Sequence, residues 1–296
     1  MIPKQRYINL CKSDNCSLQI PIFLQPFWLD AVSEKWDVAI AEREGKIIGV
    51  LPYCLKGTIV TKRIYLPPLS FYQSFILDNN LSKAETNKVI IELLKQLPST
   101  IKSYFKLLPQ YASISSEKTG YTKEEYKTFV LAPAETDYSK LSKNHKRNID
   151  KGTKGNYIIK ISKDINRSYL LLISTFKKQN QKVPIEFNDF RKLVNILIKN
   201  QAGNVINCLS VEGNLLASAL IVKDKTSIYY LLGGYDDAYR NTGAMTYLLW
   251  NCIQQAKTEN LEFNFCGSSK KSIAAYFSGF GASQQTLSIW KKGISV

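Results

Sequence analysis

Tyr229-Tyr230-Leu231-Leu232-Gly233-Gly234-Tyr235-Asp236-Asp237-Ala238-Tyr239-Arg240-Asn241-Thr242-Gly243-Ala244-Met245 is the stretch on which the reading turns. An apolar, tyrosine-rich run suited to a strand gives way to a polar loop, and a helix opens at Gly243. Met245, Leu248, Leu249, Cys252, Ile253 and Ala256 then recur at helical spacing, so this helix lays one face on a sheet. The first N–H groups of a helix lack partners and carry partial positive charge, which makes such a junction a phosphate site. A glycine there lets the backbone approach a diphosphate closely, and Arg240 adds a fixed charge beside it. The residues of the junction fit an ordinary strand-loop-helix equally well; Asp236 and Asp237 suit turn positions.

Outward from this point the second half reads as strand and helix in alternation. Val205 to Val211, Leu215 to Val222 and Ser227 to Leu232 are strand-like, preceded by helices over Tyr169 to Gln179 and Asp189 to Asn200. A strand over Leu261 to Phe265, a short helix over Ser272 to Phe277 and a strand over Gln284 to Trp290 follow. Asp137 to Asp150 reads as a basic helix ended by Gly152 and Gly155, its lysines including Lys140, Lys143, Lys146 and Lys151 beside Arg147. The only His of the chain, His145, falls among them and is read as solvated or phosphate-contacting.

The first half echoes the second. Glu44-Gly45-Lys46-Ile47-Ile48-Gly49 is matched by Glu212-Gly213-Asn214-Leu215-Leu216-Ala217, each between two strand-like runs, with a third strand after a polar spacer. The matching order favours a duplicated domain over two unrelated hairpins. Where the second copy has Arg240 to Gly243, the first has Pro67-Pro68-Leu69-Ser70-Phe71-Tyr72, and proline removes N–H donors. Phe71, Tyr72 and Phe75 are either cleft-lining or core.

Composition bounds the chemistry. The 296 residues suffice for two domains. Hydrophobic residues at 45% and charged residues at 22% describe a folded chain. One His excludes a His-rich metal site, and no dinucleotide fingerprint, P-loop or nucleophile-elbow string occurs. The six cysteines form no CxxC pair and read as small buried hydrophobes, with Cys11 and Cys16 lacking the second pair a metal site needs. The first 17 residues lack a signal-peptide core and no apolar run reaches a membrane-spanning length, so the expected place is the cytoplasm. The formal net charge of +16 is partly solvated surface and partly a field for an anionic partner.

Arg or Gln, two free positions, Gly, one free position, then Gly or Ala, set between strand and helix, is the acyl-CoA signature of the GNAT acyltransferase superfamily. Arg240-Asn241-Thr242-Gly243-Ala244-Met245 resembles it, with Met245 where Gly or Ala is usual. Leu261-Glu262-Phe263-Asn264-Phe265-Cys266-Gly267-Ser268, then Phe277, Phe280, Gly281 and Ala282, are similar to the FemAB-like branch, with Ser278 at a usually basic position. Lys146-Arg147-Asn148-Ile149 resembles the segment that opens the second domain there. The long charged coiled-coil arm of the staphylococcal interpeptide-bridge enzymes is missing, so the chain resembles the shorter bacterial members.

The resemblance implies an α/β fold with a mixed sheet: two tandem GNAT-like domains, each a twisted, mainly antiparallel sheet with helices on both faces. Residues 1–133 are expected to form a degenerate first domain and residues 134–296 a second domain with the acyl-donor site. The implied activity is N-acyl transfer from acyl-CoA or acetyl-CoA, as co-substrate and with no metal, to an amine that is a small molecule or a cell-wall precursor. Leu231, Leu232, Gly233, Arg240, Asn241, Thr242, Gly243 and Ala244 are the implied donor-binding residues. Tyr276 falls near the superfamily's general acid, or simply packs; Glu262 is a candidate base, or faces solvent. Two alternatives stand beside this. One is a tRNA-dependent aminoacyl transferase of FemAB type, favoured by the positive charge. The other is a catalytically inactive nucleotide- or carbohydrate-binding module, favoured by Met245.

Overall fold

The computed structural model of the protein describes residues 2–13, 18–178, 180–267 and 270–293; Cys16 and Ser268 lie outside them. In chain order the elements are α1 (Pro3–Lys12), α2 (Pro26–Val32), β1 (Trp36–Arg43), β2 (Lys46–Lys56), β3 (Arg63–Tyr65), β4 (Ile76–Leu77), α3 (Lys83–Lys95), β5 (Lys102–Lys106) and β6 (Thr122–Leu131). There follow α4 (Lys143–Lys154), β7 (Ile158–Ile161), α5 (Ile165–Lys178), α6 (Phe187–Lys199), β8 (Gly203–Leu209), β9 (Leu215–Lys223) and β10 (Ser227–Tyr235). The last are α7 (Ala244–Thr258), β11 (Glu262–Asn264), α8 (Lys271–Ser278) and β12 (Ser283–Gly293).

Two compact units result: Met1–Tyr126 with Thr286–Val296, and Lys127–Gln285. The sequence reading divides the chain once, after Pro133. Compactness divides it twice, within β6 and within β12.

In the first unit β1 and β2 form an antiparallel hairpin, β2 pairs antiparallel with β3, and β3 runs parallel to β5. The end of β12 adds an antiparallel partner to β5, from Ile289↔Lys106 to Gly293↔Lys102. Helix α1, absent from the sequence reading, starts with proline at its first turn, where the missing N–H costs nothing. It docks through Tyr7, which is fully buried and donates its hydroxyl to the Leu24 carbonyl at 2.7 Å. Tyr7 packs with Trp36, Val38, Val50, Cys54 and Leu29 in one core. Phe71, Tyr72 and Phe75 are buried, and Phe71 and Tyr72 sit edge-on to Phe23, so in this unit they are core.

The second unit repeats the pattern. Strands β8 and β9 form an antiparallel hairpin, β9 pairs antiparallel with β10, and β10 runs parallel to β11. The end of β6 pairs antiparallel with β11, and β7 lines the far side of β8. The duplication read from two six-residue strings therefore holds at the level of topology: hairpin, third strand, helix, parallel fourth strand.

Strand β9 is buried at successive positions from Leu215 to Val222, which a strand allows only if both faces are covered. Ala217, Ala219 and Ile221 meet Leu248, Leu249, Cys252, Ile253 and Ala256 of α7. On the alternate face Ser218 donates to Asn207 Oδ1 at 2.6 Å, and Ser168 of α5 donates to the same oxygen at 3.0 Å. The fully buried Leu248, Leu249 and Ile253 each contribute roughly 1.5–3 kcal/mol, fixing α7 against the sheet and with it the loop at its head.

Helix α4 begins six residues later than its basic run suggests. Asp137 caps a single turn over Tyr138–Lys140, the chain extends at Ser142, and the Ser142 hydroxyl then accepts from the His145 N–H. This cap sets the frame of the helix. His145, Ile149 and Gly152 turn inward while the charged residues turn out.

Candidate active site

The site begins where the second-unit sheet comes apart. Strand β10 keeps β9 as its partner up to Tyr235↔Ala217, with a bulge between Tyr230 and Leu232. Its parallel pairing with β11 covers only Ser227↔Glu262, Ile228↔Phe263 and Tyr229↔Asn264. Beyond Tyr229 the two strands separate. Strand β11 stays with β6, and the Phe265 N–H still donates to the Phe129 carbonyl at 2.9 Å.

Asn264 fixes the point of parting. Its side chain is buried, and Oδ1 accepts from Thr128 Oγ1 at 3.1 Å and from the Cys266 N–H at 2.9 Å. Cys266 and Gly267 follow with φ of 56° and 75°, turning the chain off the sheet. On the other side of the gap, Leu231, Leu232 and Gly233 lie on the part of β10 that has left β11. The Thr175 hydroxyl of α5 donates to the Gly233 carbonyl at 3.2 Å.

The loop from β10 to α7 is built from its own side chains. Asp236 Oδ1 accepts from the Ala238 N–H, and the Thr242 N–H and hydroxyl both donate to the Tyr239 carbonyl, at 3.0 and 2.6 Å. The Thr242 hydroxyl in turn accepts from the Ala244 N–H at 3.3 Å. Gly243 is the N-cap, with φ 76° and no side chain to offer the helix. Among the described residues, the N–H groups of Met245 and Thr246 meet no acceptor. These orphan donors and the helix dipole leave a position for an anion.

Gly243 meets a packing need that the sequence does not show. A Cβ on it would lie 2.7–2.8 Å from Asn148 Cβ, Cα and O. Helix α4 approaches closely on that side. Gly152 of α4 likewise has the Tyr247 ring 2.4 Å from where its Cβ would be. Helix α4 thus lies against the head of α7, and Lys151 Nζ donates to the Asn241 carbonyl at 2.8 Å. Its outer face carries Lys143, Lys146, Arg147, Asp150, Lys151 and Lys154 along a groove of about 420 Å³. Arg240 and Asn241 are exposed beside it.

Tyr276 is brought to this place from α8. Its hydroxyl lies 3.2 Å from Thr246 Oγ1 in the first turn of α7. Desolvation pushes its pKa well up, opposed by the Thr246 hydrogen bond, so the phenol keeps its proton at neutral pH. Tyr230, whose ring packs on Phe277, is pushed up by burial in the same way.

Glu262 is not brought there. It sits at the start of β11 opposite Ser227, two residues before the strands part. Its pKa is raised by burial and by the nearby Asp224. His145 is also elsewhere than expected. It is 3% exposed, packed on Tyr276 and Phe280, with Nδ1 2.7 Å from the Ser142 hydroxyl and Nε2 without a hydrogen-bond partner. Burial lowers its pKa. Its spacing with Ile149 and Gly152 would have placed it on the inner face; the surrounding lysines masked that signal.

Residues 139–277 match the family model described as an acetyltransferase (GNAT) domain. FemX is similar over 97% of this chain and 96% of its own, with 12% identity and a TM-score of 0.71. L-PGS from Bacillus licheniformis is similar over 100% of this chain and 94% of its own, with 10% identity and a TM-score of 0.63. A tandem GNAT protein from the clavulanic acid biosynthesis pathway is similar over 99% and 96%, with 10% identity and a TM-score of 0.55. No curated protein sequence matches. The match to the acetyltransferase (GNAT) domain lies within the second unit of the chain, and the fold as a whole is that of tandem GNAT-like, FemAB-like proteins. No described helix is long and apolar enough to cross a membrane.

Proposed function

We propose that the chain is an N-acyltransferase that moves an acyl group from an acyl-CoA thioester to an amine, using the second unit. The observation that carries this reading is a contrast between two equivalent helices. Helix α3, which follows β3 and the short β4, is closed by a capping box: the Ser82 hydroxyl accepts from the Glu85 N–H, and Glu85 reaches back to the Ser82 N–H. Its head already holds a carboxylate. Helix α7, which follows β10, has glycine at the cap and no carboxylate of its own at its first turn. Among the described residues both helices leave two N–H groups without an acceptor, but only at α7 is no side-chain carboxylate already seated beside them. On this reading the first unit is the degenerate copy.

The donor's diphosphate would meet the N–H groups of Met245 and Thr246, with Arg240 adding charge. The remainder of the donor would run along Leu231 to Gly233, where the strands have parted. The amine then attacks the thioester carbonyl, the C–N bond forms, the amine's proton passes to water, and the C–S bond breaks. Tyr276, protonated and next to Thr246, is the acid that meets the leaving sulfur. Much of the rate would come from holding two reactants together. Glu262, at the closed end of the strand pair, receives no role in this scheme.

The experiment is release of free thiol from acetyl-CoA in the presence of pooled amines. Amine-dependent release that is lost in Tyr276→Phe supports the reading; binding without turnover would make the chain an inactive module.

The outer face of α4 favours a second reading, transfer from an aminoacyl-tRNA. Its cations span a 12-residue helix, about 18 Å, longer than one diphosphate requires. Binding of bulk tRNA that weakens steeply with salt and is lost in Lys146→Glu/Arg147→Glu would support that donor.

A further inference from the structure

A different feature lies in the first unit, at the end of its sheet where β2 stops and β3 begins. The chain there reads Lys56-Gly57-Thr58-Ile59-Val60-Thr61-Lys62-Arg63. Ile59 is 91% exposed and Val60 78%. Turn tips favour Gly, Asn, Asp, Ser and Pro, so two β-branched aliphatic residues held in water need a reason.

The turn that presents them is well built. The Thr58 N–H donates to Thr61 Oγ1 at 3.0 Å, and the two threonine hydroxyls are 3.0 Å apart. Gly57 has φ 96°, and a Cβ there would lie 2.4 Å from the Thr61 carbonyl oxygen. These bonds brace the turn, and Ile59 and Val60 stand exposed at its tip. Ile101, 55% exposed, is adjacent: its N–H donates to the Lys62 carbonyl at 2.9 Å.

Cations ring this tip. Lys56 and Arg63 flank the turn and pair with each other across β2 and β3, and Arg63 pairs with Lys102 of β5. Lys35 is close, its carbonyl accepting from the Leu55 N–H at 2.8 Å. Lys56, Arg63, Lys102 and Lys35 are exposed, and Lys62 is half-buried. Glu34, next to Lys35 and near Tyr65, is an acid near this end.

Apolar prongs within a basic rim match the chemistry of an anionic lipid surface. A nucleic acid would use the cations but gain nothing from two aliphatic prongs, and the tip offers no aromatic platform for bases. A stable protein partner needs a contiguous patch far larger than two side chains supply. We propose that this hairpin tip is a membrane-surface anchor: Ile59 and Val60 enter the headgroup region of an anionic bilayer while Lys62, Arg63 and Lys102 meet lipid phosphates. The inference is independent of the acyl-transfer reading.

The test is co-sedimentation of the full chain with vesicles of phosphatidylcholine alone and of equimolar phosphatidylcholine and phosphatidylglycerol. The expected result is partition to the anionic vesicles, reduced about tenfold or more in Ile59→Ser/Val60→Ser, with an unchanged melting temperature. Lys62→Glu/Arg63→Glu should act in the same direction, and Val60→Trp should show a blue-shifted emission with anionic vesicles only. Absence of partition would overturn the proposal. So would partition that survives the serine pair, partition that is lost instead with Lys146→Glu/Arg147→Glu, or a serine pair that impairs tRNA binding while leaving vesicle binding intact.

Discussion

The hydroxyls of Tyr276 and Thr246 face each other at 3.2 Å, joining α8 to the first turn of α7. Thr246 also carries one of the two orphan N–H groups at the head of that helix. A protonated phenol and an anion position therefore share one residue, and the chemistry proposed for the second unit is concentrated there.

Tyr276→Phe removes this hydroxyl and leaves the ring packed on His145 and Phe280. Turnover should fall roughly a hundredfold with the donor's KM little changed. The structural loss should stay near 1 kcal/mol, measured by chemical denaturation. Equal losses in kcat and stability in Thr246→Val would instead point to a packing role for the pair.

Gly243→Ala sets a Cβ against Asn148 at a positive φ. The strained backbone alone costs about 1–3 kcal/mol, and the clash adds to it. Denaturant midpoints of the two proteins check this. A neutral substitution would mean that α4 does not press on the α7 head.

His145 gives a pH signature. Burial holds its pKa below the ordinary value of 6.5, so the folded state favours the neutral ring. Its contribution is complete above 6.5 and is lost as pH falls from there through the lowered folded value. Thermal stability should drop over that acidic window in the native chain, and His145→Phe should flatten the drop.

Glu262 predicts the opposite sign. Burial and Asp224 raise its carboxyl above the usual value, so the folded state favours the protonated form. Stability from this group is complete below the unfolded pKa and is lost as pH rises through the raised one. Glu262→Gln should therefore melt higher at neutral pH, with turnover unaffected. A large loss of activity would return Glu262 to the role of base.

Local pattern made much of this legible. The β10 strand, the polar loop and the apolar stripe from Leu248 to Ala256 were readable because each depends on neighbours within a turn or a strand. The repeat was readable because the order of strands survives while the sequence drifts. What depends on distant partners was hidden. The allocation of the ends of β6 and β12 follows from pairings such as Asn264↔Val130 and Ile289↔Lys106, which no local period encodes. Helix α1 owes its place to Tyr7 meeting Leu24. The role of Gly243 depends on Asn148, nearly a hundred positions upstream. The frame of α4 hung on a single hydroxyl, that of Ser142, and with it the burial of His145.

Calorimetric titration of the full chain with acetyl-CoA is the most direct test of an anion seat at the head of α7. The account predicts saturable binding, weakened about tenfold in Arg240→Ala and displaced by inorganic pyrophosphate. Absence of binding, or binding that neither Arg240→Ala nor pyrophosphate disturbs, would contradict it.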